Sequence, residues 1–149
     1  MMRRFQFEAE VYESLSCLPM AARRKLDLLG IKISLDQWQH LGRGERLMIC
    51  HAPTGSVEES EALRLFINEA TIAKAGSAPK ELAAEIRHNA RPPKTPPARL
   101  IENAKSVGVT FTQTEWDGLD DDQRYALIKL GVEKNSHNLK AAMNEFLGG

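Results

Sequence analysis

The stretch Gly30-Ile-Lys-Ile-Ser-Leu-Asp-Gln-Trp38 decides how the chain reads. Gly30 follows the apolar run that ends at Leu29 and is a natural left-handed cap for a helix over Met20–Leu29. Pro19 stands where that helix begins, since a missing N–H costs nothing in a first turn. Ile31, Ile33 and Leu35 alternate with Lys32 and Ser34, a short extended piece. Ser34 with Gln37 forms a capping-box pattern, and Trp38 and Leu41 fall on one face of the turn it starts. Gly42 and Gly44 break that turn before a helix from about Glu45 to Cys50.

The same order returns later in the chain. Gly108-Val-Thr-Phe-Thr-Gln-Thr-Glu-Trp116 stands 78 positions on. Pro19 aligns with Pro97, Leu41 with Leu119 and Arg46 with Arg124. At an offset of 76, Leu63-Arg64 faces Leu139-Lys140 and Asn68-Glu69 faces Asn144-Glu145. Both tryptophans of the chain coincide in this register. We read a mainly α fold of two pseudo-repeated helical units, each helix–Gly–short strand–Trp turn–helix–helix, with minor β segments. The first unit spans about 19–75 and the second about 97–147. Each is too small to bury a substantial core alone, so one domain over 1–149 with a shared core is expected. Two such units could pair their short strands across a pseudo-two-fold axis.

Elsewhere the patterns are simpler. Phe5, Phe7, Ala9 and Val11 alternate with polar residues and read as a half-buried strand. His51–Ser56 holds Pro53 and Gly55 and reads as a loop. Leu63, Phe66, Ile67 and Ala70 mark a helix over Val57–Ala75, which Gly76 ends. Pro79 reads as the start of another helix, with Leu82 and Ile86 on one face. Arg91-Pro-Pro-Lys-Thr-Pro-Pro97 is an extended connector and the best internal boundary. Leu100, Ile101, Ala104 and Val107 mark a helix after it. Asp120 with Gln123 makes a second capping box, and Leu139, Ala142, Met143, Phe146 and Leu147 stripe a last helix.

Composition narrows the function. The 149 residues carry 20 Lys+Arg against 20 Asp+Glu, a net charge of zero. A nucleic-acid binder normally shows a basic excess, so none is expected as a partner. No apolar run approaches the roughly 20 residues of a membrane span. The two arginines after the opening methionines have no apolar stretch behind them, so no secretory signal is read and a cytoplasmic location is expected. Two cysteines, Cys17 and Cys50, make no disulfide framework.

No phosphate-binding Gly-rich loop, nucleophile elbow or catalytic carboxylate pair is present, so the reading is non-enzymatic, with no cofactor. Arg23-Arg24-Lys25 reads as a solvated helix face, or alternatively as a patch for an acidic partner. Arg46 and Arg124 either meet a partner, stack on the tryptophans or cap a neighbouring helix. Asp120-Asp121-Asp122 could bind a metal, but reads more simply as a cap with acids in the first turn of a helix. Cys50-His51, with His40 and Cys17 in reach, is the one metal-like group, though its spacing fits no zinc pattern. A second reading is therefore a small-ligand or metal-binding protein using Cys17, Cys50 and His51. His88 and His137 are isolated.

Phe5-Gln-Phe-Glu-Ala-Glu-Val-Tyr-Glu-Ser-Leu-Ser-Cys-Leu-Pro-Met20, Arg24-Lys-Leu-Asp27 and Gly30–Trp38 together resemble the nitrate reductase-associated protein family. Trp116-x-x-Leu119, Gln123-Arg-Tyr-Ala-Leu-Ile-Lys-Leu130 and Asn144-Glu-Phe146 extend the resemblance, which covers about 5–54 and 114–147. It implies a small bacterial accessory protein linked to assimilatory nitrate reductase, which helps that molybdenum enzyme become or remain active. The implied partner is the reductase or its maturation machinery. The family offers no catalytic residues to carry over. Cys17 lies in its Cys-x-Pro-Met block, and with Arg23, Arg24, Arg46 and Arg124 completes the candidates for partner contact. The tail Lys134-Asn-Ser-His-Asn-Leu139 departs from the family pattern.

Overall fold

Pro19 is in the extended conformation immediately before helix α2, Met20–Leu29, and Gly30 closes that helix at φ +80°. A side chain at that φ would be strained, so glycine is the residue the turn accepts. The computed structural model that shows this describes residues 2–83, 87, 90–132 and 136–148. His88, Ile86 and the tail residues Lys134 and Asn135 lie outside them. Among the described residues the chain is mainly helical, with one two-stranded sheet. It divides into two compact units, Met1–Arg4 with Glu8–Ala90 and Phe5–Phe7 with Arg91–Gly149.

In the first unit, α1 (Ala9–Ser14) precedes α2. Strand β1 (Ile31–Lys32) leads to α3 (Leu35–His40), α4 (Arg43–His51) and α5 (Val57–Ala75). Strand β2 is Lys80–Glu81. Its core gathers Leu26, Leu29 and Ile31 with Trp38, Ile49, Leu63 and Ile67. Ser34 and Gln37 form the expected reciprocal cap, Ser34 Oγ accepting from Gln37 N at 3.0 Å and Gln37 Oε1 accepting from Ser34 N at 2.9 Å. Glu45 accepts from Gly42 N at 2.7 Å, so α4 begins at Arg43 and Gly44 lies inside it, two residues earlier than the glycine pair suggests.

The second unit has α6 (Ala98–Ser106), α7 (Gln113–Asp117), α8 (Asp121–Val132) and α9 (Ser136–Leu147). Its buried residues include Leu100, Ala104, Trp116, Tyr125, Leu127, Leu130, Leu139 and Met143. Gly108 again sits at φ +80°. Asp120 Oδ1 accepts from Gln123 N at 2.8 Å, and Asp121 and Asp122 lie in the first turn of α8, as the helix dipole favours. A further capping box joins Thr112 and Glu115.

Three expectations change. Phe5–Val11 is not a strand. Gln6–Glu8 is a 3-10 turn that runs into α1. The backbone N–H groups of Gln6 and Phe7 bind the Glu145 carboxylate at 3.1 and 2.9 Å instead of a ladder. The rings of Phe5 and Phe7 stand against Phe146, with centroids 5.0 and 6.0 Å away. The second change concerns Lys80–Glu81, which pair with β1 antiparallel, Ile31 opposite Glu81 and Lys32 opposite Lys80, where a helix after Pro79 was expected. Leu82 N extends the contact to Gly30 O at 2.8 Å. The third follows from it. Strand β1 pairs with β2 of its own unit, and Val109–Phe111 carry no strand.

Candidate functional site

Trp38 and Arg46 meet because the capping box sets the ring inward while α4 starts one turn later. The Trp38 indole N–H donates to Leu15 O at 2.8 Å. The Arg46 guanidinium lies 5.8 Å from the Trp38 ring centroid and donates to the carbonyls of Trp38, Leu15 and Gln39 at 3.1, 3.0 and 2.9 Å. The second unit repeats the arrangement. Trp116 donates to Pro93 O at 3.2 Å, and Arg124 lies 5.6 Å from its ring centroid. Arg124 donates to the carbonyls of Trp116 and Asp117 at 3.1 and 3.2 Å. Both tryptophans are wholly buried. Arg46 and Arg124 therefore stack on the tryptophans and tie backbone within their own units. The Pro-rich stretch supplies acceptors as well, since Lys94 O takes a hydrogen bond from Gln113 at 2.9 Å.

Arg23, Arg24 and Lys25 are half-buried, not a solvated face. Arg24 donates to Ala90 O at 3.0 Å, and the Lys25 ammonium donates to Cys50 O and Ala52 O at 2.9 Å each, closing the end of α4. Burial lowers the Lys25 pKa. Cys17 is an exposed free thiol. Partial burial, then the Glu8 carboxylate, hold it above its ordinary pKa against the pull of Arg23. Cys50 is buried, and burial pushes its thiol up to about 11 although Lys25 and Arg4 pull it down. Neither thiol is poised as a nucleophile at neutral pH. His51 is exposed at the end of α4, and His40 bonds to Asp36 O at 2.8 Å. Among the described residues, no group of three or more His, Cys, Asp or Glu stands where it could hold a metal ion.

The surface offers a different feature. Among the described residues the large apolar side chains most exposed are Leu35, Leu47, Met48, Val57, Leu65 and Ile72, all in the first unit. Between α4 and α5 lies a cavity of about 220 Å³ lined by Met48, Ala52, Pro53, Glu59, Ala62, Leu63 and Phe66. Met48 is 54% exposed and Leu65 59%. The sequence signal for this face is that α5 is apolar on two sides. Leu63, Ile67 and Ala70 turn into the core, while Leu65 and Ile72 fall among Glu58, Glu61, Asn68 and Glu69. No helix among the described residues is long and apolar enough to cross a membrane.

Taken together, this is a small two-unit helical protein whose tryptophan–arginine pairs hold backbone and whose first unit carries an apolar groove between α4 and α5. The chain belongs to the family of conserved nitrate reductase-associated proteins, whose family model matches residues 4–146. The resemblance read from its two ends thus extends through the middle of the chain. No curated protein and no solved structure matches it.

Proposed function

We propose that this protein is a non-enzymatic accessory of assimilatory nitrate reductase, acting in the cytoplasm by binding the reductase or its maturation machinery and supporting the enzyme's activity. The family match over residues 4–146 carries the reading. The apolar groove between α4 and α5 of the first unit is consistent with a protein that meets another protein.

The test is co-purification of the tagged full chain with the reductase from nitrate-grown cells, together with deletion of the gene. The expected result is a recovered complex and lowered reductase activity in the deletion strain. Unchanged activity with no complex recovered overturns the proposal.

A further inference from the structure

The groove between α4 and α5 has a floor of Leu63 and Phe66, walls of Met48, Ala52, Pro53 and Ala62, and one carboxylate, Glu59. Its volume of about 220 Å³ lies below the range of about 300–1,000 Å³ usual for small-molecule sites. It is sized for a bulky side chain presented by a protein segment. Met48 supplies a flexible, polarisable wall of the kind that adapts to such an anchor.

Glu59 is the one charged residue among those lining the groove. Glu58 and Glu59 lie in the first turn of α5. Glu61 follows, 4.0 Å from Arg64. Glu58 and Glu59 have no ion-pair partner among the described residues. The dipole of α5 favours acids here in the free protein. A cation brought to the rim adds complementarity without displacing an existing partner.

We propose that this groove receives a bulky apolar side chain from a basic segment of the reductase, with Glu59 facing that segment's Lys or Arg. The proposal rests on the accessory reading above and names its contact surface.

The test measures binding of purified reductase to the full-length protein and three variants, each confirmed folded by circular dichroism. Ala62→Arg fills the groove from an exposed helical position that tolerates arginine. Glu59→Lys reverses the rim charge. Glu69→Lys makes the same charge change on exposed α5 surface that does not line the groove. Ala62→Arg and Glu59→Lys are each expected to weaken binding about tenfold or more, the scale of a lost interface anchor. Glu69→Lys should stay within about twofold, and added salt should weaken the wild-type complex. Reductase bound equally by all four proteins overturns the groove while leaving the accessory reading intact. Reductase bound by none overturns both. Self-association of the wild type that Ala62→Arg abolishes, seen by sedimentation without reductase, assigns the groove to a second copy and overturns the proposal.

Discussion

The indole N–H of Trp38 donates to the carbonyl of Leu15 at 2.8 Å, 23 residues earlier in the chain. Leu15 is a non-glycine residue at φ +50°, closing α1 in the left-handed region. That conformation costs about 1 kcal/mol or more for a residue with a Cβ. It persists because its carbonyl is held by Trp38 and also by Arg46 at 3.0 Å. Leu15 is itself buried, so losing both donors would leave that carbonyl without protein partners in a dry place.

The two arginines let this be measured. Arg46 reaches three carbonyls and Arg124 two. Lysine has no planar fork and keeps about one such bond. Arg46→Lys should cost about 1–3 kcal/mol and Arg124→Lys about half as much, taking roughly 1 kcal/mol per lost hydrogen bond. Each unit holds one tryptophan, so a Trp116→Phe background reports on the first unit and Trp38→Phe on the second. Urea unfolding followed by the remaining indole gives the order. Equal losses, or a larger loss for Arg124→Lys, contradict the account.

The caps make a parallel pair. Ser34 Oγ accepts from Gln37 N at 3.0 Å, and Thr112 Oγ1 accepts from Glu115 N at 3.2 Å. Ser34→Ala and Thr112→Ala should each cost about 1 kcal/mol. If either variant unfolds at the wild-type urea concentration, its cap contributes nothing and the turn is held by tryptophan burial alone.

Local chemistry explains which features the sequence discloses. The helix caps and the Gly30 turn depend on neighbours within a turn or two, so Ser34, Gln37 and Pro19 announce them. The strand partner of Ile31 does not, because Lys80–Glu81 has no β-branched or aromatic residue and pairs across the length of α5. The alternation of Phe5, Phe7, Ala9 and Val11 misleads for a related reason. Its N–H groups are satisfied by Glu145, which periodicity cannot see. The groove escapes the sequence because Phe66 and Leu63 match a core stripe equally well. Only the course of α4 beside α5 leaves Phe66 half-buried at a cavity.

Exposure separates the two thiols. Cys17 is exposed and Cys50 buried. An aromatic disulfide reagent at pH 8 should therefore titrate one thiol per native chain, slowly because the Cys17 pKa is raised, and two in denaturant. Cys17→Ser should leave none in the native protein. Rapid modification of two thiols without denaturant would show that α4 opens readily around Cys50.

Cys50 also ties stability to alkaline pH. Its thiol ionises at an ordinary 9.0 in the unfolded chain and at about 11 in the fold. Between those values the unfolded chain has released a proton that the folded unit keeps, so stability falls as pH rises, by up to about 1.4 kcal/mol per pH unit. Lys25 works in the opposite sense. Its folded pKa is lowered below 10.5, so the folded unit gives up that proton first and stability rises with pH across that interval. Glu8 and Arg4 also face the thiol. Urea unfolding from pH 8 to 11, read by Trp38 in the Trp116→Phe background, separates the contributions. Cys50→Ala should flatten the alkaline decline, whatever it costs at pH 8 through lost packing. Lys25→Met should steepen it, because the opposing ammonium is gone while the thiol remains. A Cys50→Ala curve parallel to that of its parent would mean that the buried thiol titrates alike in both states.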